Sequence, residues 1–145
     1  MIKSALGRCA LLILVTWAST AVSASTEVFK ARLAPLGVTQ ATVNTITGVG
    51  YVTATLAGSR LIIDANFEGL TGMATSANIR RGPKGIPGPI VIELQAPKAS
   101  NGKINATLDL SAEQLADLQA GRLYLQIHSE RAPEGSIRGW LLRTP

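Results

Sequence analysis

The sequence predicts an all-β domain, a β-sandwich with one short α-helix. Three observations carry this. About eight short runs alternate apolar with polar residues, turn residues separate them, and a single capping signature precedes a helical stripe. The stretch Leu123–Leu142, LYLQIHSERAPEGSIRGWLL, shows the pattern best. Leu123, Leu125 and Ile127 point one way and Tyr124, Gln126 and His128 the other, as in a half-buried strand. Arg131 to Gly135 then has turn chemistry, with Pro133 fixing φ and Gly135 permitting positive φ, so that Ile137 to Leu142 returns as a hairpin.

The chain begins with a segment that must be set aside first. Lys3 and Arg8 precede the apolar run Ala10 to Ala18, and the small-residue tail Val22-Ser23-Ala24 follows, which is the pattern of a secretory signal peptide over residues 1–24. Its apolar centre is about 10 residues, whereas a spanning helix needs about 20, so no membrane span is expected once the signal is cleaved. Cys9 follows Arg8 instead of a small residue, which argues against lipid attachment and leaves the mature chain without cysteine. Export to a periplasm or to the outside is the expected localisation. Residues 25–145 have the length of one domain that can bury a core without staples. The formal charge of +5 includes Lys3 and Arg8, so the mature charge is +3, a weak bias toward anionic partners. Basic residues are not interleaved with aromatics, so nucleic acid is not an expected partner.

Along the mature chain, Phe29, Ala31 and Leu33 alternate with Lys30 and Arg32, giving a first strand with one wet face. Thr39 to Gly48 lacks a sustained period and reads as a loop or a frayed edge strand. Val52, Ala54 and Leu56, then Leu61, Ile63, Ala65 and Phe67, form two strands around the Gly58-Ser59 turn. Ala74 to Arg80 reads as a fourth strand, with Ala77 and Ile79 inward and Asn78 and Arg80 outward. The segment RRGPKGIPGP, Arg80 to Pro89, has collagen-like glycine spacing, but three triplets cannot sustain a triple helix, so it is a stiff surface loop. Ile90 to Leu94 is a strand, and Asn101-Gly102 reads as a tight hairpin turn into the return strand Ile104 to Leu110. Ser111 and Gln114 form a capping box, and Gly121 ends a helix over 112–120.

Candidates for chemistry are few. His128 is the only histidine, and Ser129, adjacent on a strand, points to the opposite face, so a Ser–His pair is disfavoured. A hydrolase using His128 as base would need another nucleophile. Asp64 and Glu68 read as solvated charges. One histidine without cysteine does not make a zinc or copper ligand set, so no metal and no cofactor is expected. Arg138, between Ile137 and Gly139, reads as a partly buried fork toward Glu134 or Glu130.

Taken together, LYLQIHSERAPEGSIRGWLL, the preceding LSAEQLADLQAG, and upstream FEGLTGMATSANIRRG and GPIVIEL resemble the CHRD domain, a family named after chordin and widespread in secreted bacterial proteins. The resemblance covers roughly Phe29 to Leu142. It implies a Greek-key, immunoglobulin-like β-sandwich, similar also to Cu,Zn superoxide dismutase, without an established enzymatic role. Where the family commonly carries Ala-His-Ile-His-x-Gly, this chain has Ala77-Asn78-Ile79-Arg80-Arg81-Gly82, so both histidines that could join His128 are absent. The expectation is therefore a non-enzymatic exported module that binds an unidentified protein, glycan or small anionic ligand. Asn78, Arg80 and His128 are the expected polar pocket, Arg81 and Lys84 its basic rim, and Gly135, Ile137, Arg138 and Gly139 the structural motif of the closing hairpin. A periplasmic metal-binding or dismutase-like protein is the competing expectation.

Overall fold

Residues 25–145 are described by a computed structural model; the expected signal segment over residues 1–24 lies outside them. Their elements in chain order are β1 (Thr26–Leu33), β2 (Val49–Ala57), β3 (Arg60–Glu68), β4 (Ala74–Arg81), β5 (Ile90–Leu94), β6 (Gly102–Asp109), α1 (Ala112–Gln119), β7 (Leu123–Ser129), β8 (Ala132–Trp140) and β9 (Leu142–Arg143). Two antiparallel sheets result, ordered β6-β3-β2-β1-β9 and β5-β4-β7-β8. β6 returns beside β3 after β4 and β5 have crossed to the other sheet, and β7 returns beside β4 after β6 has crossed back. These are Greek-key connections, and the architecture is the all-β sandwich that the alternation predicts.

Alternation decides the layers. In β3, Leu61, Ile63, Ala65 and Phe67 are buried and the residues between them are exposed; Val52, Ala54 and Leu56 of β2 follow the same rule. These side chains meet Ile79, Leu125, Ile127 and Ile137 from the second sheet in one core. The helix closes one end of that core with Leu118. Its N-terminus is capped as expected: Gln114 N–H donates to Ser111 Oγ at 3.2 Å, and Ser111 N–H donates to Gln114 Oε1 at 2.9 Å. Gly121, with φ +68°, turns the chain out of the helix.

Several expectations change. The strand Leu123–Ser129 is not half-buried, because every residue of β7 is buried. Its inward face meets the core and its outward face lies beneath the chain's own loops. Asn78, expected on a wet face, is buried for the same reason. The hairpin turn is the pair Glu130-Arg131, shorter than Arg131 to Gly135, and Pro133 lies within β8. Proline is tolerated there because β8 is the edge strand of its sheet. The register holds at Ile127↔Ile137 and Ser129↔Ala132, so residues 133–136 arch out as a bulge opposite His128. Gly135, with φ +123°, makes the arch, and a Cβ there would stand 2.3 Å from Gln126 Nε2.

Asn101-Gly102 does not close a hairpin, since β5 and β6 belong to different sheets. The connection from Gln95 to Asn101, with Pro97 in it, is long enough to cross between layers. Thr39 to Gly48 is turns, held by bonds such as Thr45 N–H to Thr42 C=O at 2.9 Å. Leu142 leaves β8 and pairs with Lys30 as part of β9, in the opposite sheet. At this corner the two sheets also touch directly. Ala34 N–H donates to Arg138 C=O at 3.1 Å and Arg138 N–H to Ala34 C=O at 3.0 Å. Only glycine at 139 allows so close an approach, because a Cβ would lie 2.3 Å from Arg32 O.

Candidate functional site

The outward face of the second sheet carries the expected pocket residues. Register sets Ser76 opposite His128, Asn78 opposite Gln126 and Arg80 opposite Tyr124. Asn78 and His128 do come together: Asn78 Nδ2 lies 3.2 Å from His128 Nε2, with Gln126 Nε2 at 3.3 Å from the same atom. The arched segment supplies the remaining partners. Gln126 Nε2 donates to Glu134 C=O at 2.9 Å, which fixes its amide orientation, and His128 Nδ1 stands 2.8 Å from Pro133 C=O. A carbonyl only accepts, so Nδ1 carries the proton and Nε2 accepts from the two amides. His128 is 7% exposed and both of its ring nitrogens are engaged. None of its partners is a nucleophile, and Ser129 Oγ is buried with no partner among the described residues.

This arrangement does not fit a copper or zinc ion. Asn78 is directly beside His128 Nε2, and its amide donates into the lone pair that a metal would need. Among the described residues no three His, Cys, Asp or Glu side chains cluster. Asn78 Oδ1 is buried without a partner in the same place, an unmatched acceptor in an otherwise closed network.

Arg80, Arg81 and Lys84 do not form one rim. Arg80 sits two outward rows from His128, roughly 13 Å along the strand. Its Nε donates to Gly88 C=O at 2.7 Å, tying down the glycine-proline loop. The same loop is held by Gly88 N–H to Tyr124 Oη at 2.8 Å and by Trp140 Nε1 to Gly82 C=O at 2.9 Å. Tyr124 and Trp140 stack beneath it with ring centroids 4.6 Å apart. Arg81 points toward the helix, where it pairs with Glu113 at 2.8 Å and with the buried Asp117, which Arg122 also approaches at 3.4 Å. Its role there is to join sheet to helix.

Lys84 goes elsewhere, into a groove of about 380 Å³ at the corner where β1 meets β8. Lys30, Arg32, Lys84 and Arg138 line it together with Leu36, Trp140 and Leu142, and no carboxylate does. None of these four cations is in an ion pair among the described residues. Arg138 therefore does not tie Glu134 or Glu130; Glu130 instead accepts from Met73 N–H at 3.1 Å. A wider depression of about 530 Å³ at Gly48, Gly69 and Ser100 offers mainly backbone and one carboxylate, Glu68. The groove is the better equipped of the two, with an apolar floor and convergent charge.

Lys30 and Arg32 were legible in the sequence as the wet face of the first strand. Their meeting with Arg138 and Lys84 was not, because it depends on a contact between strands more than 100 positions apart. No curated protein and no solved structure matches the chain. A model of the CHRD domain matches residues 29–141, which spans the sandwich from Phe29 to Leu141, both Greek-key crossings and the PEGSIRG arch; the chain belongs to the CHRD domain family.

Proposed function

We propose that this protein is an exported, non-enzymatic binding module that takes an anionic ligand in the groove between β1 and β8. The observation that carries the reading is the set Lys30, Arg32, Lys84 and Arg138 around Trp140, with no carboxylate in the lining. Like charges converge there at a cost in mutual repulsion, which a bound anion relieves. Arginine adds a planar fork suited to carboxylate or sulfate. Export is supported by the signal-like pattern of residues 1–24 and by membership of a family typical of secreted proteins. Absence of catalysis is supported by the closed hydrogen bonding of His128.

Retention of the purified protein on a polyuronate matrix, against neutral dextran, tests the reading. Retention should fall with added salt and be lost in Lys30→Glu/Lys84→Glu. Equal retention by the charge-reversed protein would overturn it. N-terminal sequencing of protein recovered outside the cytoplasm should begin at Ser25; an uncleaved chain inside the cell would overturn export.

A further inference from the structure

We infer that the ligand is a linear acidic glycan, which runs from this groove across the open face of the first sheet along Arg32, Tyr51, Asn66 and Lys103. The inference rests on the groove reading above and extends it. Register places these four side chains in one row across β1, β2, β3 and β6, since Arg32 pairs with Tyr51, Tyr51 with Asn66 and Asn66 with Lys103. The row spans three strand spacings, about 14 Å. Arg32 belongs to both places: it lines the groove, and it lines a second depression of about 340 Å³ beside Tyr51 on the sheet face.

The chemistry of the row selects the ligand. Tyr51 is 57% exposed, a large ring lying open on a polar sheet. It offers a flat surface for the C–H face of a sugar, while the Asn66 amide can bond hydroxyls and the two cations hold acid groups at either end. Asp64 and Glu68 stand on the same strand, two residues before and two after Asn66, and both are exposed. They repel an anionic chain from the rows on either side and so keep it on this one. Tyr51 is the only exposed aromatic among the described residues, whereas a single-stranded nucleic acid binds over a series of stacking rings. Peptide addition by strand pairing uses a sheet edge, and this row lies on a face.

Binding of a galacturonate disaccharide and of a long oligogalacturonate to the full mature protein tests the track. Tyr51→Ala and Lys103→Glu should each weaken the long oligomer about tenfold, equivalent to about 1.4 kcal/mol, and leave the disaccharide unchanged. Tyr51→Phe, which keeps the ring, should retain affinity. If both variants bind the long oligomer as the parent does, while Lys30→Glu/Lys84→Glu binds neither, the track is wrong and the groove stands. If the parent binds neither this series nor a sulfated oligosaccharide of equal length, track and groove reading fall together.

Discussion

The two sheets present opposite outer faces. That of β4 and β7 carries Asn78, Gln126 and the only histidine, His128, and is closed by its own chain: the glycine-proline loop over Tyr124 and Trp140, the PEGS arch over Gln126 and His128. That of β1, β2, β3 and β6 is open, with Lys30, Tyr51 and Asn105 in solvent. Chemical distinctiveness in a sequence therefore marks, in this fold, where the chain grips itself. The surface available to another molecule adds Lys84 of the loop and Arg138 of β8 to ordinary alternating positions such as Lys30 and Arg32, and these charges converge only through the β1–β8 contact.

The largest effect is expected where that contact is made. In Gly139→Val the new side chain meets Arg32 O, so β1 and β8 must separate and both Ala34–Arg138 hydrogen bonds are lost. A loss of about 4 kcal/mol is expected in urea unfolding, with loss of polyuronate retention in whatever protein remains folded. A variant of near-parental stability would show that the two faces are not joined through this corner.

A smaller effect separates the faces directly. His128→Ala leaves two amide donors and the Pro133 carbonyl without their partner in a buried place, which costs about 2 kcal/mol. Anion binding at the groove should not change. The opposite result, intact stability with binding lost, would move the site to the closed face.

How much of this was legible follows from the range of the interactions. The capping box, the Gly58-Ser59 turn and the alternation of β3 depend on neighbours a few residues away, and each is found where the sequence predicts it. The burial of Asn78 and of the outward side of β7 was not legible. It depends on loops folding back, and a strand covered by loops has the same two-residue period as a strand facing water. The Asn101-Gly102 pair misled for a related reason: its turn propensity is local, but whether β5 and β6 pair is decided by which sheet each completes. For the site, the sequence places Lys84 in a rim with Arg81 beside Arg80, whereas it lines a groove with Lys30, Arg32 and Arg138, a meeting that exists only once the corner is built.

The smallest expected effect tests the charge of the open corner without any ligand. Lys30, Arg32, Lys84 and Arg138 repel one another in the folded protein more than in the extended chain, so they oppose folding at low ionic strength. Raising salt from about 0.01 M to about 0.15 M shortens the Debye length from about 30 Å to about 8 Å and screens that repulsion. The sign follows: the parent should become more stable with salt, by a few tenths of a kcal/mol for partly exposed groups. Arg32→Gln/Lys84→Gln removes half of these charges, so its urea midpoint should lie above the parent's at low salt and converge with it at high salt. Midpoints that stay parallel across the series would mean that the four cations are too well solvated to act as one field, and that the corner attracts an anion no more strongly than the rest of the surface.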